Sequence, residues 1–257
     1  MPRPGAVATA LVWRDLTHLW RQPSRVVGVV GQSLVLWFLL GSGVGANLRV
    51  PGAAAGTGYA SYFFAGALAL VVLFASIFAN ISVIEDRKQG FLALALVAPV
   101  SRLELALGKT LGGTALGFLQ GLIMLVMAPL AGIPLSIARL LLGSAALLVL
   151  SLALSSLGLA LAWVTESSQG YHGVMSFILF PLWMLSGAIF PTSGLPAWLL
   201  LLVRLNPLTY AVAALRATLL PPAIAAAGSP ASLASCWWAM AAFALAGVVL
   251  AWNTMRG

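Results

Sequence analysis

Residues 59–84 read YASYFFAGALALVVLFASIFANISVI, and none of them is charged. About 20 apolar residues in a helix suffice to cross the roughly 30 Å hydrocarbon core of a bilayer. A helix also satisfies its own backbone hydrogen bonds, which lipid cannot do for it. Residues 59–84 are therefore predicted to form a membrane-spanning helix.

Other apolar stretches of spanning length lie on both sides of this one. They are 26–46, 107–133, 137–164, 171–190 and 232–252. The whole chain is 61% hydrophobic and 7% charged, with a mean hydropathy of +1.05. Soluble domains carry about 25% charged residues. We therefore predict an all-α, polytopic membrane protein with six transmembrane helices, forming one domain over residues 1–257.

The positive charges are unevenly distributed. The chain has 13 Lys and Arg against 5 Asp and Glu. Most of the basic residues precede the first predicted span, lie between the second and third, or end the chain, and an even number of spans puts these regions on one side. The positive-inside rule predicts that this side is the cytoplasm. Nucleic acid is not an expected partner, because the basic residues form no stripe interleaved with aromatic residues.

The N-terminal segment, residues 1–24, precedes the first span. Val12, Trp13, Leu16, Leu19 and Trp20 recur at helical spacing, and polar residues occupy the other face. This pattern predicts an amphipathic helix lying in the membrane interface. Two interpretations remain open for it: a simple anchor, or a lever that touches a cytoplasmic partner.

The predicted cytoplasmic connection 85–106 is the most highly charged part of the chain. It begins with EDRKQG at 85–90, continues with an apolar stretch at 91–100, and then carries Arg102 and Glu104. The apolar stretch is too short to span a bilayer. It is predicted to lie flat on the membrane surface or to dock into a groove on another protein.

The connection 191–222 has a different pattern. Apolar residues 195–205 fall short of a span, Asn206-Pro207 interrupts them, and helical composition resumes to residue 220. Two half-length helices around an Asn-Pro break predict a re-entrant hairpin. It would lie on the outer side and be buried by protein, as broken backbone at membrane depth requires.

The sequence contains no motif that indicates a catalytic, nucleotide-binding or metal-binding site. Residues 108–110 read GKT, as at the end of a phosphate-binding loop, but Leu103 stands where that loop needs glycine and no strand precedes it. The histidines and the single cysteine lie on separate segments: His18, His172 and Cys236. We therefore predict no catalytic residue, no metal and no cofactor bound by this chain.

The predicted spans also lack the ionisable residues of ion-coupled carriers. Their mid-span polar residues are mainly Gln32, Asn80 and Gln120. Such a bundle must take energy from elsewhere or move its substrate passively. Small residues at four-residue spacing permit close helix contacts, within one subunit or across a dimer; they are Gly41, Gly45, Gly108, Gly112, Gly113, Gly117 and Gly121.

Three short motifs resemble those of the ABC type-2 exporter permeases. The first is EDRKQG at 85–90 followed by APVSR at 98–102. The second is SGAIFP at 186–191 followed by LPAW at 195–198, and the third is NPLTY at 206–210 with Arg216 beyond it. They occur in the family's order, and the likeness covers nearly the whole chain.

The resemblance implies partners and roles. Two permease subunits, expected to be identical, pair in a bacterial plasma membrane, and each docks on a separate ABC ATP-binding subunit that holds ATP and Mg. The residues implied in coupling to that subunit are Glu85, Arg87, Lys88, Gln89, Gly90, Phe91, Pro99, Ser101 and Arg102. Those implied in the re-entrant hairpin are Pro191, Pro196, Asn206, Pro207, Tyr210 and Arg216.

One departure from the family pattern concerns Arg216. Family members often carry an acid shortly before this arginine, whereas residues 212–215 here read VAAL. The sequence therefore leaves Arg216 without a local ion-pair partner. Two alternatives to an exporter permease remain at this point: an ATP-independent channel or scaffold, and a membrane-embedded enzyme.

Overall fold

The computed structural model describes residues 5–43, 58–90, 102–192, 194–226, 229 and 231–256. Within these ranges every regular element is helical. The α-helices, with α7 including two π-helical stretches, are α1 (Ala6–Arg21), α2 (Pro23–Gly43), α3 (Tyr59–Ala79), α4 (Ile81–Lys88), α5 (Arg102–Val126), α6 (Ile137–Val164), α7 (Ser168–Ala188), α8 (Ala197–Leu205), α9 (Pro207–Leu219), α10 (Pro222–Ala226) and α11 (Leu233–Arg256). A short 3₁₀ turn, Ala128–Ala131, follows α5.

The expectation of an all-α protein with six spans is confirmed. Six helical segments are long and apolar enough to cross a membrane: α2, α3 continued by α4, α5, α6, α7 and α11. Their ends differ from the predicted ones by a few residues. The largest differences are at α5, which covers Arg102–Val126 instead of 107–133. Hydropathy locates the lipid-embedded part of a helix, whereas the helix itself continues into the polar interface.

Both ends of the described chain meet at one end of the bundle. The backbone N–H of Gly5 donates to Glu104 Oε1 at 2.9 Å. Arg102 donates from Nη1 to the carbonyl oxygens of Met255 and Arg256, at 3.0 and 3.2 Å. The start of α1 and the end of α11 therefore lie beside the start of α5. We call this end of the bundle the terminal side and the opposite end the distal side.

Helix α5 is the centre of the bundle because glycines let its neighbours approach closely. A Cβ added at Gly117 would collide with the hydroxyl of Ser76 on α3. A Cβ at Gly121 would lie 2.9 Å from Cγ2 of Val72, also on α3. Small residues allow such contacts between helices in lipid. The small-residue steps of α5 therefore serve packing within this chain.

Helix α1 lies against the first turns of α5. Leu11 sits over Gly108, and the carboxylate of Asp15 sits over Gly112. Trp13 and Trp20 point away from the protein and are 73% and 89% exposed. The predicted amphipathic helix is therefore present over Ala6–Arg21, and it also has a buried face toward α5.

Helix α7 is irregular in its second half. It contains two π-helical stretches, Met175–Leu179 and Met184–Ala188. Pro181 lies between them and has no N–H to donate. Gly187 adopts a left-handed conformation with φ of 73°, which a residue with a side chain rarely takes. The carbonyl of Gly187 is thereby turned toward α3 and α9, where it accepts hydrogen bonds.

Helices α8 and α9 form a bent pair where the hairpin is predicted, with an angle of 81° between them. Asn206 lies at the bend. Its Oδ1 accepts from the N–H of Leu208 at 3.0 Å, and its Nδ2 donates to the carbonyl of Leu182 at 2.6 Å. Pro207, which has no N–H, takes the first position of α9. Most of α9 is buried by protein, whereas α8 is largely exposed.

We predict that Gly117→Ala destabilises the fold by about 1–3 kcal/mol, the usual cost of overpacking a core. The reason is the collision of the new methyl group with Ser76. SDS-induced unfolding in mixed micelles would measure the change. Gly28→Ala is the matched control, because nothing lies within 4 Å of its Cβ position. Equal stability of the two variants would contradict the central role of α5.

Candidate functional site

The candidate coupling region surrounds residues 91–101, which lie outside the described residues. The roles of Phe91, Pro99 and Ser101 therefore stay predictions. The residues on both sides of this segment are described. They show how the segment is attached to the membrane helices.

Arg87 attaches the incoming side of the segment to the end of α6. Its Nη2 donates to the carbonyls of Trp163 at 2.6 Å and Ala162 at 3.2 Å, and its Nη1 donates to that of Thr165 at 3.3 Å. The guanidinium also lies 5.5 Å from the ring centroid of Trp163. The last carbonyls of a helix lack partners and carry partial negative charge. Arg87 therefore caps α6.

Arg102 attaches the outgoing side of the segment to the end of α11. It donates to the carbonyls of Met255 and Arg256, which belong to the last turn of that helix. The cation again meets the negative end of a helix dipole. Both sides of residues 91–101 are thus bound to the C-terminal ends of membrane-spanning helices.

An ion-pair cluster joins α1, α4 and α5 beside these caps. Asp86 Oδ2 accepts from Arg14 Nη2 at 2.8 Å and from Lys109 Nζ at 2.7 Å. Lys109 Nζ also donates to Ser82 Oγ at 3.1 Å. Lys109 is only 3% exposed, so Asp86 supplies the negative charge that its ammonium needs.

Asp15 completes this cluster from α1. Its Oδ1 lies 3.7 Å from Arg14 Nε, and the residue is 8% exposed. Burial raises the pKa of Asp15 above its ordinary value, and the positive charges of Lys109 and Arg14 oppose that rise. We use the name ion-pair cluster for Arg14, Asp15, Asp86 and Lys109.

The other predicted coupling residues lie at the surface on the terminal side. Glu85, Lys88 and Gln89 are exposed, and Gly90 follows α4 in a left-handed turn with φ of 75°. Unlike Arg87 and Arg102, the side chains of Glu85, Lys88 and Gln89 take no part in the hydrogen bonds found among the described residues. They are available to another protein.

The distal side holds a second cluster around Arg216. The guanidinium carbon of Arg216 lies 3.8 Å from the ring centroid of Tyr62, and Nη2 donates to the carbonyl of Gly187 at 2.9 Å. The hydroxyl of Tyr62 donates to the same carbonyl at 3.1 Å. Arg216 is fully buried, and its Nε and Nη1 have no partner among the described residues. An aromatic face and a carbonyl thus take the place of the acid that the sequence lacks.

The remaining hairpin residues hold the distal loops in place. Tyr210 donates from its hydroxyl to the carbonyl of Arg204 at 2.8 Å, which closes the bend between α8 and α9. Pro196 directly precedes α8 as its N-cap. Pro191 follows the end of α7 and is partly buried. These contacts fix backbone geometry.

Five side chains of these clusters were not recognised as site residues from the sequence: Arg14, Asp15, Asp86, Lys109 and Tyr62. Asp15 carried one signal, since it is the only acid before Glu85. Lys109 falls at the start of the predicted span 107–133, and the sequence does not show that the structure buries it beside Asp86. Tyr62 carried no signal, because an aromatic residue in an apolar span is ordinary.

Arginine, lysine and aspartate contacts connect the residues that flank 91–101 to four helices, α1, α5, α6 and α11. Among the described residues, no three His, Cys, Asp or Glu side chains are placed to hold a metal ion.

Comparisons with known proteins give the following relatives. Residues 7–220 match the family described as ABC-2 type transporter. The ycf38 protein of Porphyra purpurea, whose name describes a transport permease, is 27% identical over 80% of this chain and 72% of its own length. Nodulation protein J of Rhizobium leguminosarum bv. viciae is 24% identical over 86% of this chain and 85% of its own.

A third relative is similar over a shorter region. The YbhR protein of Escherichia coli K12, whose name describes a multidrug ABC transporter permease, is 29% identical over 51% of this chain. The match covers 36% of YbhR. The family match, residues 7–220, includes nearly all of α1, the charged connection and the bent pair.

We predict that Asp86→Asn lowers the free energy of unfolding by on the order of 3 kcal/mol, because the buried Lys109 ammonium loses the carboxylate with which it forms its ion pair. SDS-induced unfolding would measure it. Adding Lys109→Met to Asp86→Asn should recover part of the loss, and a double-mutant cycle would give the coupling. Glu166→Gln, at an exposed acid, is the control. A loss no larger than that of the control would contradict the prediction.

We predict that Tyr62→Leu destabilises the protein more than Tyr62→Phe does. The Phe variant keeps the ring over Arg216 and loses only the hydroxyl bond to Gly187, worth about 1 kcal/mol. The Leu variant also loses the cation–π contact, worth about 2 kcal/mol when desolvated. The same unfolding assay measures both, and the difference should vanish in an Arg216→Met background. Equal losses in the original background would show that the ring contributes nothing to holding Arg216.

Proposed function

Since the chain belongs to the ABC-2 type transporter family, we propose that it is the membrane-spanning permease subunit of an ATP-driven exporter. Its substrate is amphiphilic, either lipid-like or drug-like, and leaves the cytoplasm or the inner leaflet. ATP and Mg are bound by a separate ABC ATP-binding subunit. The observation that carries this proposal is the attachment of both sides of residues 91–101 to helix ends.

This attachment suits a segment that receives movement from a partner. Arg87 connects it to α6, and Arg102 connects it to α11. Asp86, directly before Arg87, connects it to α1 through Arg14 and to α5 through Lys109. Rigid helices transmit such a displacement as rigid-body motion. The role of residues 91–101 as the coupling helix rests on this geometry and on the family.

The substrate class rests on the character of the spans. The two buried cations of the described spans, Lys109 and Arg216, are held by Asp86 and Tyr62, so neither is offered to a ligand. A polar substrate would need more polar ligands at membrane depth. An amphiphile can keep its apolar part in lipid during transfer. It therefore needs fewer polar groups inside the bundle than a polar substrate does.

The proposed assembly contains a second, identical permease subunit. Helices α2 and α11 are apolar, and only 17% and 22% of their most apolar windows are buried within one chain. Lipid or a second copy would cover the rest. The abundance of basic residues on the terminal side supports cytoplasmic termini. The proposed location is the plasma membrane of a bacterium.

Capture of the ATPase from native membranes tests the proposal. The tagged chain, extracted in mild detergent, should bring down a P-loop ATPase in near-stoichiometric amount. Phe91→Asp should lower that yield by about tenfold or more, as expected for loss of an interface hot spot. Lys88→Glu, a charge reversal at an exposed coupling residue, should lower it less.

The control for this experiment is Arg204→Glu, an exposed charge reversal on the distal side. It should leave the captured ATPase unchanged. Recovery of the chain without any ATPase, at normal yield of the folded protein, would favour a passive channel or scaffold. Capture that Phe91→Asp does not weaken would place the ATPase contact elsewhere.

A further inference from the structure

A polar crevice opens on the terminal side between α1, α2, α4 and α5. Its volume is about 310 Å³. Its charged and polar lining includes Arg14, Asp15, His18, Arg25, Glu85 and Asp86. The ion-pair cluster includes Arg14, Asp15 and Asp86. Arg25, His18 and Glu85 also line the crevice but are not part of that cluster.

The charges around this crevice balance. Two cations, Arg14 and Arg25, line the crevice, and a third, Lys109, is bonded to Asp86 in its wall. The three carboxylates are Asp15, Glu85 and Asp86. None of the hydrogen bonds or ion pairs among the described residues includes the side chain of Arg25 or of Glu85. Arg25 feels the negative charges of Asp15 and Glu85, but its guanidinium forms no hydrogen bond with either carboxylate. The crevice therefore offers a cation and a carboxylate whose hydrogen-bonding groups are still available.

An apolar groove lies next to the crevice, on the membrane-facing side of α2 and α5. Its volume is about 590 Å³. It is lined almost entirely by apolar side chains from the end of α1, the start of α2 and one face of α5: Leu19, Trp20, Pro23, Val26, Leu122 and Ile123 are among them. Ile123 is 42% exposed, so this chain leaves the groove open to lipid.

The crevice and the groove are adjacent to each other on α1, α2 and α5. On α5, Leu116 lines the crevice and Leu119, one turn further, lines the groove. On α2 the corresponding neighbours are Arg25 and Val26. The stretch from Leu116 to Val126 rises about 15 Å at 1.5 Å per residue. This is about half of the roughly 30 Å hydrocarbon core, which is long enough for one acyl chain to lie along it.

We propose that the crevice and the groove together bind one phospholipid of the leaflet on the terminal side, with a zwitterionic, primary-amine headgroup of the phosphatidylethanolamine class. The phosphate lies between Arg25 and His18, and the ammonium lies toward Glu85 and Asp15. One acyl chain occupies the groove along Ile123. Trp20 flanks the chain at the interface, where tryptophan is favoured.

The balance of charges selects the headgroup. An anionic lipid would satisfy Arg25 and leave Glu85 beside an added negative charge. A phosphatidylcholine headgroup carries both charges, but its quaternary ammonium has no N–H to donate. A primary ammonium offers three N–H donors, so it can form charge-assisted hydrogen bonds with the carboxylates.

This proposal does not depend on the ATPase partner. It concerns binding to the isolated chain, so it is measured without nucleotide or transport. A failed ATPase capture would leave it intact, and a failure of lipid binding would leave the exporter proposal intact.

The headgroup test uses the purified full-length chain in nanodiscs that contain equal amounts of phosphatidylethanolamine, phosphatidylcholine and phosphatidylglycerol. Native mass spectrometry after release from the nanodisc counts the retained lipids. We expect one retained phosphatidylethanolamine, favoured about tenfold over the other two, the order expected for a charge-assisted hydrogen bond. Arg25→Gln and Glu85→Gln should each abolish the preference. Arg21→Gln and Glu166→Gln, at exposed charges outside the crevice, should keep it.

Three outcomes would overturn the headgroup assignment. One is retention of the three lipids in equal amounts. A second is a preference that Arg25→Gln and Glu85→Gln leave as strong as Arg21→Gln does. Preferential retention of phosphatidylglycerol would likewise overturn it, because it would indicate an anion site.

The tail is tested with a phosphatidylethanolamine that carries a photoactivatable acyl chain. Crosslinking should label the peptide that contains residues 116–126. Ile123→Trp fills the groove and should remove that label, whereas Val249→Trp, at a lipid-facing position of α11 that is 48% exposed, should not. Labelling spread evenly over all spans, or unchanged by Ile123→Trp, would overturn the groove as the site of the acyl chain.

Discussion

The close approach of other helices to the glycine face of α5 is the contact on which the structure depends. In lipid, apolar side chains gain little by leaving the hydrocarbon, so packing at small residues must hold helices together. Gly117 and Gly121 admit α3, and Gly112 admits α1 with Asp15 directly above it. Only this arrangement lets Asp86, at the end of α4, reach Lys109 on α5. The ion-pair cluster therefore depends on the glycines of α5, because they let α1 and α3 come close to it.

The charged connection divides its residues between two tasks. Arg87 and Arg102 turn inward and cap α6 and α11, while Glu85 and Lys88 remain at the surface. The family resemblance treats all of them as one coupling region. The geometry separates residues that hold the segment to the membrane helices from residues that are free to meet another protein. A connection built in this way can be both firmly attached and accessible.

The parts of the fold that depend on local rules could be predicted from the sequence. The six spans follow from apolar length, and the bend at Asn206 follows from an Asn-Pro break in an apolar stretch. The partners of Arg216 could not be predicted, because Tyr62 and Gly187 come from distant parts of the chain. The start of α5 was placed too late, since hydropathy stops at the charges of Arg102 and Glu104, whereas the helix continues through them into the polar interface.

Among the described residues, the side-chain hydrogen bonds of Arg87 and Arg102 all go to main-chain carbonyl oxygens at the ends of α6 and α11. Every amino acid supplies such an oxygen, so the residues at those helix ends are free to change without loss of these hydrogen bonds. The attachment therefore leaves no paired substitutions for methods that infer contacts from correlated changes between positions. For the same reason, a chimera that takes its last helix from a relative would keep the Arg102 attachment, provided that the helix ends at the same turn.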